Sequence, residues 1–429
     1  MFSAKDWKDA AWIAWRPEER YQAEWAARKK KENVHPQGNN LGQAYAFWPG
    51  NRKPIWDMFA FNNPPYDPAP LLRKEFSVDR KIRSAHAYIC GLGYYELFLN
   101  GQRVGDHVLD PGWTDFSKRA LYVAHDVTDL LRSGPNAVGV MLGRGWYNPT
   151  SNDINALELS WWRGQPKLRL LLSIEFEDGT RQDVVSDPSW KVAGGPVIYD
   201  CPRHGEIYDA RMEKPGWNVA GYDDNAWESA QPAPAPQGAL QAQLMPPIRE
   251  VRTIKPVKMD EISPGVFVFH FAETIAGWPR VKLRGPAGTK VHIVMAEDPD
   301  PLSYMDGPAN HGAAGIQQFG HILKGAGEET ATMRFSYKSF QTVRVSGDPG
   351  PLKMTIDDVE AVVVHTDVES IGEFECSDPL LNRIHDNIRR TFLNNYHSIQ
   401  TDNPCREKYG WMGDTGASSR AEAETRSPQ

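Results

Sequence analysis

Short apolar runs separated by turn residues dominate the chain from residue 71 to about residue 366. In segments such as KLRLLLSIEF and FQTVRVSG, apolar and polar residues alternate along most of the length, which is the period of a half-buried β-strand. These segments follow one another at intervals of about ten residues without helical patterns between them, which favours antiparallel pairing over a parallel α/β sheet. The pattern predicts a mainly β protein.

Turn residues and prolines divide this pattern into domains. Asn100-Gly101 and Asp178-Gly179 lie between alternating segments, where a type I′ hairpin needs residues that tolerate positive φ. The stretch QPAPAPQG at residues 231–238 has alternating prolines, which stiffen a chain and prevent strand pairing. We interpret it as a linker between two antiparallel β-sandwich domains. The predicted domains are an irregular lead-in at 1–70 with a short helix around 18–30, a first sandwich at 71–245 and a second at 246–366.

The pattern changes to a helical period after residue 366. Asp378 ahead of Pro379 fits a helix N-cap. Apolar residues then recur at the spacing of one helix face, at Leu380, Leu381, Ile384, Ile388 and Phe392. The helical domain so begun would occupy residues 367–429, and roughly fifty residues are too few to bury the faces of a helical bundle. We therefore expect this segment to be disordered or to lie against the second sandwich.

Composition and charge exclude several classes of protein. The 48 basic and 55 acidic residues give a net charge of −7 without a long block of one sign, so the chain lacks the electrostatic footprint of a nucleic-acid binder. No run approaches a membrane span, and the N-terminus lacks the apolar segment of a signal peptide. We expect a cytoplasmic chain as written, or a secreted one if the true start lies upstream. The four widely spaced cysteines include no CxxC pair, which indicates neither a zinc site nor a disulfide framework.

Ionisable and aromatic residues concentrate just after the predicted helix, in TDNPCREKYGWMGD at residues 401–414. Pro404 keeps Asn403 out of a helical conformation, so the segment begins as a loop, and loops at the ends of elements often carry sites. Glycoside hydrolysis needs one protonated carboxyl group, a second that is ionised, and groups that hold the sugar. These residue types fit that chemistry. A solvated loop, with Arg406 in an ion pair and Trp411 in the core, fits them as well.

The same segment closely resembles the signature of the bacterial α-L-rhamnosidases of glycoside hydrolase family 78, T-D-C-P-Q-R-[ED]-x-x-G-W-x-G-D. It matches nine positions in fourteen without a gap, and it departs at Asn403 and Cys405, where the family usually has Cys and Gln. LGYYELFLNGQRVGDHVLDPGWTDFSKRALYVAHDVTDLL resembles the family's N-terminal β-domain. AGWPRVKLRGPAGTKVHIVMAE and GEFECSDPLLNRIHDNIRRT are similar to its concanavalin-like domain and first catalytic helix. The resemblance covers roughly residues 70–414.

This resemblance implies inverting hydrolysis of terminal α-L-rhamnosides, with an (α/α)6 catalytic barrel of which residues 367–429 would be the first part. It implies that Glu407 is the general acid, that Asp402 and Asp414 hold sugar hydroxyls with Arg406 nearby, and that Trp411 is an apolar wall. The family's general base has no counterpart here, so we expect little or no activity from this chain alone. The expected partner is a rhamnose-containing glycan or glycoside, with no cofactor, metal, nucleic acid or membrane.

Other readings of the sequence stay open. The alternative function is a non-catalytic carbohydrate-binding or structural β-sandwich protein. Aromatic residues of the first sandwich are candidates for a sugar-binding platform, although core packing is the default, and they include Trp113, Trp146, Tyr147, Trp161 and Trp162. His204, Glu206 and Asp209 offer metal-ligand atoms, but we interpret them as structural. We interpret Cys405 as a packing residue, since no His partner is placed near it.

Overall fold

The computed structural model describes Trp7 and residues 9–31, 67–149, 160–297 and 317–416. The chain divides into two compact units. Unit 1 comprises Met1–Asn40, Pro64–Cys201 and Met212–Leu244, and unit 2 comprises Leu41–Asn63, Pro202–Arg211 and Met245–Gln429. Both are mainly β. Among the described residues no helix, including α1 (Glu18–Lys31) and α2 (Pro379–Asn394), is long and apolar enough to span a bilayer.

Unit 1 is a sandwich of two sheets that share one hydrophobic core. Its described strands are β1 (Ile13–Ala14), β2 (Pro70–Val78), β3 (Ile82–Leu92), β4 (Tyr94–Leu99), β5 (Gln102–Arg103), β6 (Arg119–Asp126), β7 (Gly134–Gly143), β8 (Lys167–Phe176), β9 (Arg181–Val185), β10 (Lys191–Gly194), β11 (Val197–Cys201), β13 (Glu228–Ser229), β14 (Gln231–Pro232) and β15 (Ala239–Ala242). One sheet runs β14–β1–β8–β3–β6–β15 with β9 on β8, the other runs β13–β10–β2–β7–β4–β5, and β11 belongs to neither. Alternate side chains of both sheets, such as Ile89 and Val140, enter the same buried cluster.

Unit 1 differs from the sequence prediction in three respects. The proline-rich stretch is not an unpaired linker, because β14 pairs with β1 and the N–H of Ala233 donates to the Trp12 carbonyl at 2.9 Å. Proline is tolerated here because β14 is at the edge of its sheet. The start of the chain is not wholly irregular, since Trp12 is buried and β1 joins the sheet. The pairing is also not purely antiparallel, because β15 joins β6 in parallel.

The two hairpin turns have different geometries. Asn100 and Gly101 both have positive φ, 51° and 87°, which confirms the type I′ turn between β4 and β5. At the second turn only Gly179 has positive φ, at 79°. The Asp178 carboxylate accepts the N–H of Thr180 at 2.9 Å, so this turn is held by a side chain and is not type I′.

Unit 2 is built on one continuous hydrogen-bonded sheet. Its described strands are β12 (Gly205–Asp209), β16 (Ile248–Ile254), β17 (Lys258–Ser263), β18 (Val266–Arg284), β19 (Lys290–Ala296), β20 (Gln318–Ile322), β21 (Glu328–Ala331), β22 (Lys338–Asp348), β23 (Val359–Thr366), β24 (Tyr396–His397) and β25 (Ile399–Gln400), of which β24 and β25 form a separate hairpin. The sheet runs β12–β20–β19–β22–β18–β23–β16, with β17 and β21 on β18.

Strand β18 explains why this sheet is continuous where a sandwich was predicted. Its first part pairs with β17 and its last part with β23 and β21, while β22 accompanies it across a register shift between His270 and Ile275. A bulge of this kind lets one strand take part in two regions of a sheet. The periodicity of each strand was read correctly, but β18 joins strands that would otherwise form separate sheets. One pair, β12 with β20, is parallel.

Helix α2 begins where the sequence predicts and lies against the sheet of unit 2. The Asp378 carboxylate accepts the N–H of Leu380 at 2.8 Å, with Pro379 in the first turn. At the other end, Asn394 Oδ1 accepts the N–H of Ala276 at 3.0 Å and Arg390 donates to Glu273 at 2.9 Å. On the apolar face of α2, Phe392 is buried. The other residues of this face are exposed, namely Leu380, Leu381, Ile384 and Ile388.

The cap of α2 gives a prediction. Replacing Asp378 by Ala should cost about 1 kcal/mol, because the first turn loses its side-chain acceptor. Hydrogen exchange of the amides in the first two turns of α2 should then be about fivefold faster. The matched control is Asp386→Ala, an exposed aspartate within the same helix, which should leave exchange unchanged or slower since Ala favours helix. Equal exchange in both variants would contradict the capping role.

Candidate active site

Hydrogen bonds close the acidic loop, residues 401–414, at its base. The N–H of Asp402 donates to the Tyr409 carbonyl at 2.8 Å, and Asp402 Oδ1 accepts the N–H of Tyr409 at 2.8 Å. Immediately before, the N–H and the hydroxyl of Thr401 both donate to the Asn395 carbonyl, at 2.8 and 2.9 Å. The loop therefore starts from the C-terminal end of α2, and Asp402 is fixed by both its backbone and its side chain.

The carboxylate of Asp402 is half-buried and well supplied with donors. Its Oδ2 accepts the side-chain amide of Asn403. Burial raises the pKa of Asp402, backbone N–H groups of Tyr409 and Asn403 lower it, and the charge of Glu407 raises it again. The net pKa is higher than that of an ordinary aspartate. The protonation of the Asp402 carboxyl group therefore depends on its burial and on neighbouring groups of the loop.

Lys408 anchors the loop to the sheet. Its side chain is fully buried, and its backbone is in the left-handed region with φ 55°. The ammonium donates to the carbonyl of Tyr337 at 2.9 Å and to that of Pro404, and it lies 3.8 Å from the centre of the Tyr337 ring. Burial lowers the pKa of Lys408 well below its usual range. Among the described residues, the contacts of this ammonium are therefore with carbonyls and a ring, and not with a carboxylate.

Arg203 fixes the backbone at the predicted acid. Its guanidinium is fully buried and donates from Nε and Nη2 to the carbonyl of Glu407, at 3.0 and 2.8 Å. The same group lies 4.6 Å from the centre of the Tyr409 ring. Two hydrogen bonds from one planar guanidinium define both the position and the orientation of their acceptor. The backbone of Glu407 is thereby held from the segment before β12.

The side chain of Glu407 is held separately by Trp411. The indole N–H of Trp411 donates to Glu407 Oε2 at 2.8 Å. Trp411 is 50% exposed and Glu407 is partly buried, so this pair lies at the surface of unit 2. Arg406, between the loop base and this pair, is exposed. The structure therefore brings together the predicted acid and the predicted aromatic wall.

A cleft of about 530 Å³ lies between α2 and the acidic loop. Two of the predicted site residues line it, Asp402 and Asp414. The opposite wall is formed by the exposed apolar face of α2, including Ile384 and Ile388. A cleft with carboxylates on one side and apolar side chains on the other suits a sugar, which has hydroxyls and an apolar face. Glu407, Arg406 and Trp411 are not part of this lining.

Family models match three successive parts of the chain. Residues 80–252 match the alpha-L-rhamnosidase N-terminal domain, and residues 260–365 match the bacterial alpha-L-rhamnosidase concanavalin-like domain. Residues 369–426 match the bacterial alpha-L-rhamnosidase 6 hairpin glycosidase domain. The chain belongs to the bacterial α-L-rhamnosidase family. The third of these models is that of a glycosidase domain.

Individual α-L-rhamnosidases agree with this assignment. One from Formosa agariphila is 36% identical over 356 residues, which are 81% of this chain and 37% of the relative. The solved structure from Dictyoglumus thermophilum has 41% identity and a TM-score of 0.75, covering 83% of this chain and 39% of that one. The Streptomyces avermitilis structure, complexed with L-rhamnose, has 35% identity and a TM-score of 0.74, covering 81% and 34%. The chain thus spans roughly a third to two fifths of these relatives.

The two departures from the α-L-rhamnosidase signature have local structural roles. Asn403 Oδ1 accepts the N–H of Arg406 at 2.6 Å, which stabilises the turn that leads to Glu407. Cys405 is buried, and burial raises the pKa of its thiol to about 12. Since the thiolate is the nucleophilic form, this cysteine packs as a thiol.

The residues that offered a metal site near His204 are engaged in other contacts. Glu206 Oε2 accepts the backbone N–H groups of residues 334–335, both at 3.0 Å. Asp209 pairs with Arg211 at 2.8 Å. His204 is fully buried, and burial lowers its pKa well below the usual range. These contacts support structural roles for the three side chains.

The aromatic residues of the first sandwich divide into packed and exposed groups. Trp113 stacks on the buried Trp146, with ring centres 4.4 Å apart, and Tyr147 is buried as well. Trp161 is 62% exposed and meets Trp162 edge to face at 5.9 Å. These two lie in a turn and not on a strand. Trp161 is therefore the member of the set that a sugar in solution can reach.

Sequence analysis did not identify two residues that hold the acidic loop in place, Arg203 and Lys408. Arg203 lies about two hundred residues before its acceptor, and neither its type nor its spacing connects it with Glu407. Lys408 stands at a variable position of the family signature, and no local pattern marks it as buried. Its left-handed backbone is known only from the structure.

The buried ammonium of Lys408 predicts a pH dependence of stability. Because its pKa is lowered on folding, the unfolded chain binds more protons between that lowered value and about pH 10.4. In this window the free energy of unfolding should rise with pH, by at most about 1.4 kcal/mol per pH unit. The Lys408→Met variant lacks this titration and should lack the corresponding slope. Urea unfolding between about pH 7 and about pH 10 measures it.

The matched control is Lys255→Met, since Lys255 is 78% exposed in the same unit. This variant should keep the pH dependence of the parent chain. Parallel stability curves for the parent and Lys408→Met would show that Lys408 titrates normally, and that the ammonium is not buried as described.

Proposed function

We propose that the acidic loop supplies the general acid and part of the sugar-binding surface of an inverting α-L-rhamnosidase. The observation that carries this proposal is the fixation of Glu407 at both ends, by Arg203 at its carbonyl and by Trp411 at its carboxylate. A catalytic acid must be held within hydrogen-bonding reach of the leaving oxygen. Double fixation of a surface carboxylate has no evident use in a purely structural loop.

The proposed chemistry follows from the requirements of inversion. The carboxyl group of Glu407 donates its proton to the departing glycosidic oxygen as the bond to the anomeric carbon breaks. A water molecule on the opposite face forms the new bond to that carbon and gives its proton to a second carboxylate. We assign the acid to Glu407 and make no assignment of the base. The product is rhamnose with inverted anomeric configuration.

The remaining predicted residues would hold the sugar. Asp402 and Asp414 line the cleft beside α2 and can accept hydrogen bonds from hydroxyl groups. Trp411 offers an exposed ring for the apolar face of the sugar. Arg406 is exposed next to Glu407 and can donate to a sugar oxygen. The solved relative in complex with L-rhamnose supports this choice of sugar.

We further propose that α2 is the first helix of an (α/α)6 barrel and that the 429-residue chain alone has little activity. The support is the apolar face of α2, where Leu380 is 63% and Ile388 51% exposed. In glycosidases the acid works in a site from which most water is excluded, because burial keeps its proton in place. An open apolar wall does not exclude water.

The sugar-binding assignment predicts that Trp411, and not Trp161, contributes to the binding of L-rhamnose. The affinity of the chain for L-rhamnose, measured by saturation-transfer NMR, should fall roughly two- to tenfold in Trp411→Ala, because an aromatic contact contributes roughly 0.5–1.5 kcal/mol. The matched control is Trp161→Ala, which removes an exposed tryptophan of unit 1 and should leave binding unchanged. The reverse result would favour a carbohydrate-binding sandwich over the acidic loop.

The expected inactivity of the chain is tested with an aryl α-L-rhamnoside. The purified chain should release the aryl group at close to the rate in buffer, and Glu407→Gln should not differ from it. Ordinary turnover that Glu407→Gln abolishes would contradict the expected inactivity and support the acid. Turnover that survives Glu407→Gln would exclude Glu407 as the acid.

A further inference from the structure

A cluster of two histidines and an aspartate lies in unit 1. His107 and Asp110 belong to the segment between β5 and β6, and His125 is on β6. One nitrogen or carboxylate oxygen from each of the three lies within 4.8 Å of the others, and among the described residues this is the cluster whose His, Cys, Asp or Glu atoms converge so closely. Asp110 and His125 are buried, and His107 is partly exposed. Neither the signature loop nor the proposed reaction uses them.

Groups outside the cluster orient Asp110 and His125, while His107 is held by Asp110 itself. His107 Nδ1 lies 2.8 Å from Asp110 Oδ2, and the other oxygen of Asp110 accepts the side-chain amide of Gln243 at 3.1 Å. The hydroxyl of Tyr95 lies 3.1 Å from His125 Nε2. Metal ligands in proteins are characteristically held by a second set of hydrogen bonds of this kind. The imidazoles and the carboxylate are therefore oriented before any ion arrives.

The space between these side chains is the size of one small ligand. Together with Tyr95, Glu96 and Arg103 they line a cavity with room for about one water molecule. A glycine contributes to this space, since a Cβ at Gly105, whose φ is 68°, would lie 3.2 Å from His125 Nδ1. A single metal ion with one bound water fits a cavity of this scale after small side-chain movements.

The local charge favours a cation in spite of the nearby guanidinium. Arg103 lies 3.8 Å from the Glu96 carboxylate, which offsets its positive charge. Asp110 is at the cluster itself, and Asp106 also acts electrostatically on His125. With both imidazoles neutral, three carboxylates and one guanidinium give this region a negative charge. A divalent cation would balance it.

We propose that His107, Asp110 and His125 form a binding site for a divalent transition metal of the Zn²⁺ type. Imidazole and carboxylate ligands with a fourth position for water are a donor set that zinc commonly takes. Zinc bonds of roughly 2.0–2.2 Å place tetrahedral ligand atoms about 3.3 Å apart, so the three side chains need only approach one another slightly. His107, which is partly exposed, can make that movement. The bound ion would tie the segment between β5 and β6 to β6.

The test uses the full chain, stripped of metal with a chelator, and Zn²⁺ alone as the probe. Competition with a chromophoric chelator should show one Zn²⁺ bound per chain, with affinity reduced about tenfold or more in His107→Gln. The control is His86→Gln, a histidine on β3 in the same unit and outside the cluster, which should bind as the parent does. Equal binding in the parent and His107→Gln, or no binding in either, would overturn the proposal.

Cobalt gives a second readout that does not depend on a variant. Co²⁺ added to the stripped chain should give the strong visible absorption of a four-coordinate ion with nitrogen and oxygen ligands, and Zn²⁺ should displace it. The weak spectrum of hydrated, six-coordinate Co²⁺ would show that the side chains form only a hydrogen-bonded network.

Thermal unfolding gives a third readout. The melting temperature of the stripped parent should rise with added Zn²⁺, and that of His107→Gln should not.

Discussion

Hydrogen bonds from buried cations to backbone carbonyls hold the candidate site together. Lys338 donates to the carbonyl of Arg203 at 2.8 Å, Arg203 donates to the carbonyl of Glu407, and Lys408 donates to the carbonyl of Tyr337. All three cationic side chains are fully buried. The bonds thus link the start of β22, the segment before β12 and the acidic loop. Three parts of the chain that are distant in sequence set the position of one carboxylate.

Burial of these three cations costs free energy, and this cost explains why each is placed where backbone carbonyls can accept its hydrogen bonds. Burying a charge carries a penalty of several kcal/mol, whereas a hydrogen bond to a charged donor contributes roughly 1.5–3 kcal/mol. Each cation therefore needs more than one acceptor, and Lys408 has two carbonyls and an aromatic ring. A loop that moved away would leave a buried charge without acceptors. The backbone at Glu407 is accordingly rigid, and the indole N–H of the half-exposed Trp411 orients its carboxylate at the surface.

Local patterns predicted the parts of the molecule that depend on local forces. The alternation of residues predicted the strands, Asn100-Gly101 predicted a type I′ turn, and Asp378 predicted the cap of α2, because each depends on neighbours in sequence. The motif at residues 401–414 indicated the family, which the family models confirm. The roles assigned to its individual residues stay predictions.

Tertiary contacts decided what the sequence could not show. Pro232 was read as a break, yet β14 pairs because its free edge tolerates proline. A lysine is normally solvated, so nothing local showed that Lys408 is buried. The convergence of His107 with His125 depends on the path of the chain between β5 and β6. The continuity of the sheet in unit 2 depends on a register shift in β18.

The account depends most on the claim that the acidic loop is held in place before any sugar binds. Hydrogen exchange of the amides at residues 405–409, in the chain without ligand, tests that claim most directly. We predict protection approaching that of β22, since opening this loop would separate buried cations from their carbonyls. Exchange at the rate of an unstructured peptide would show that the buried cations do not hold Glu407, and the proposed site would lose its physical basis.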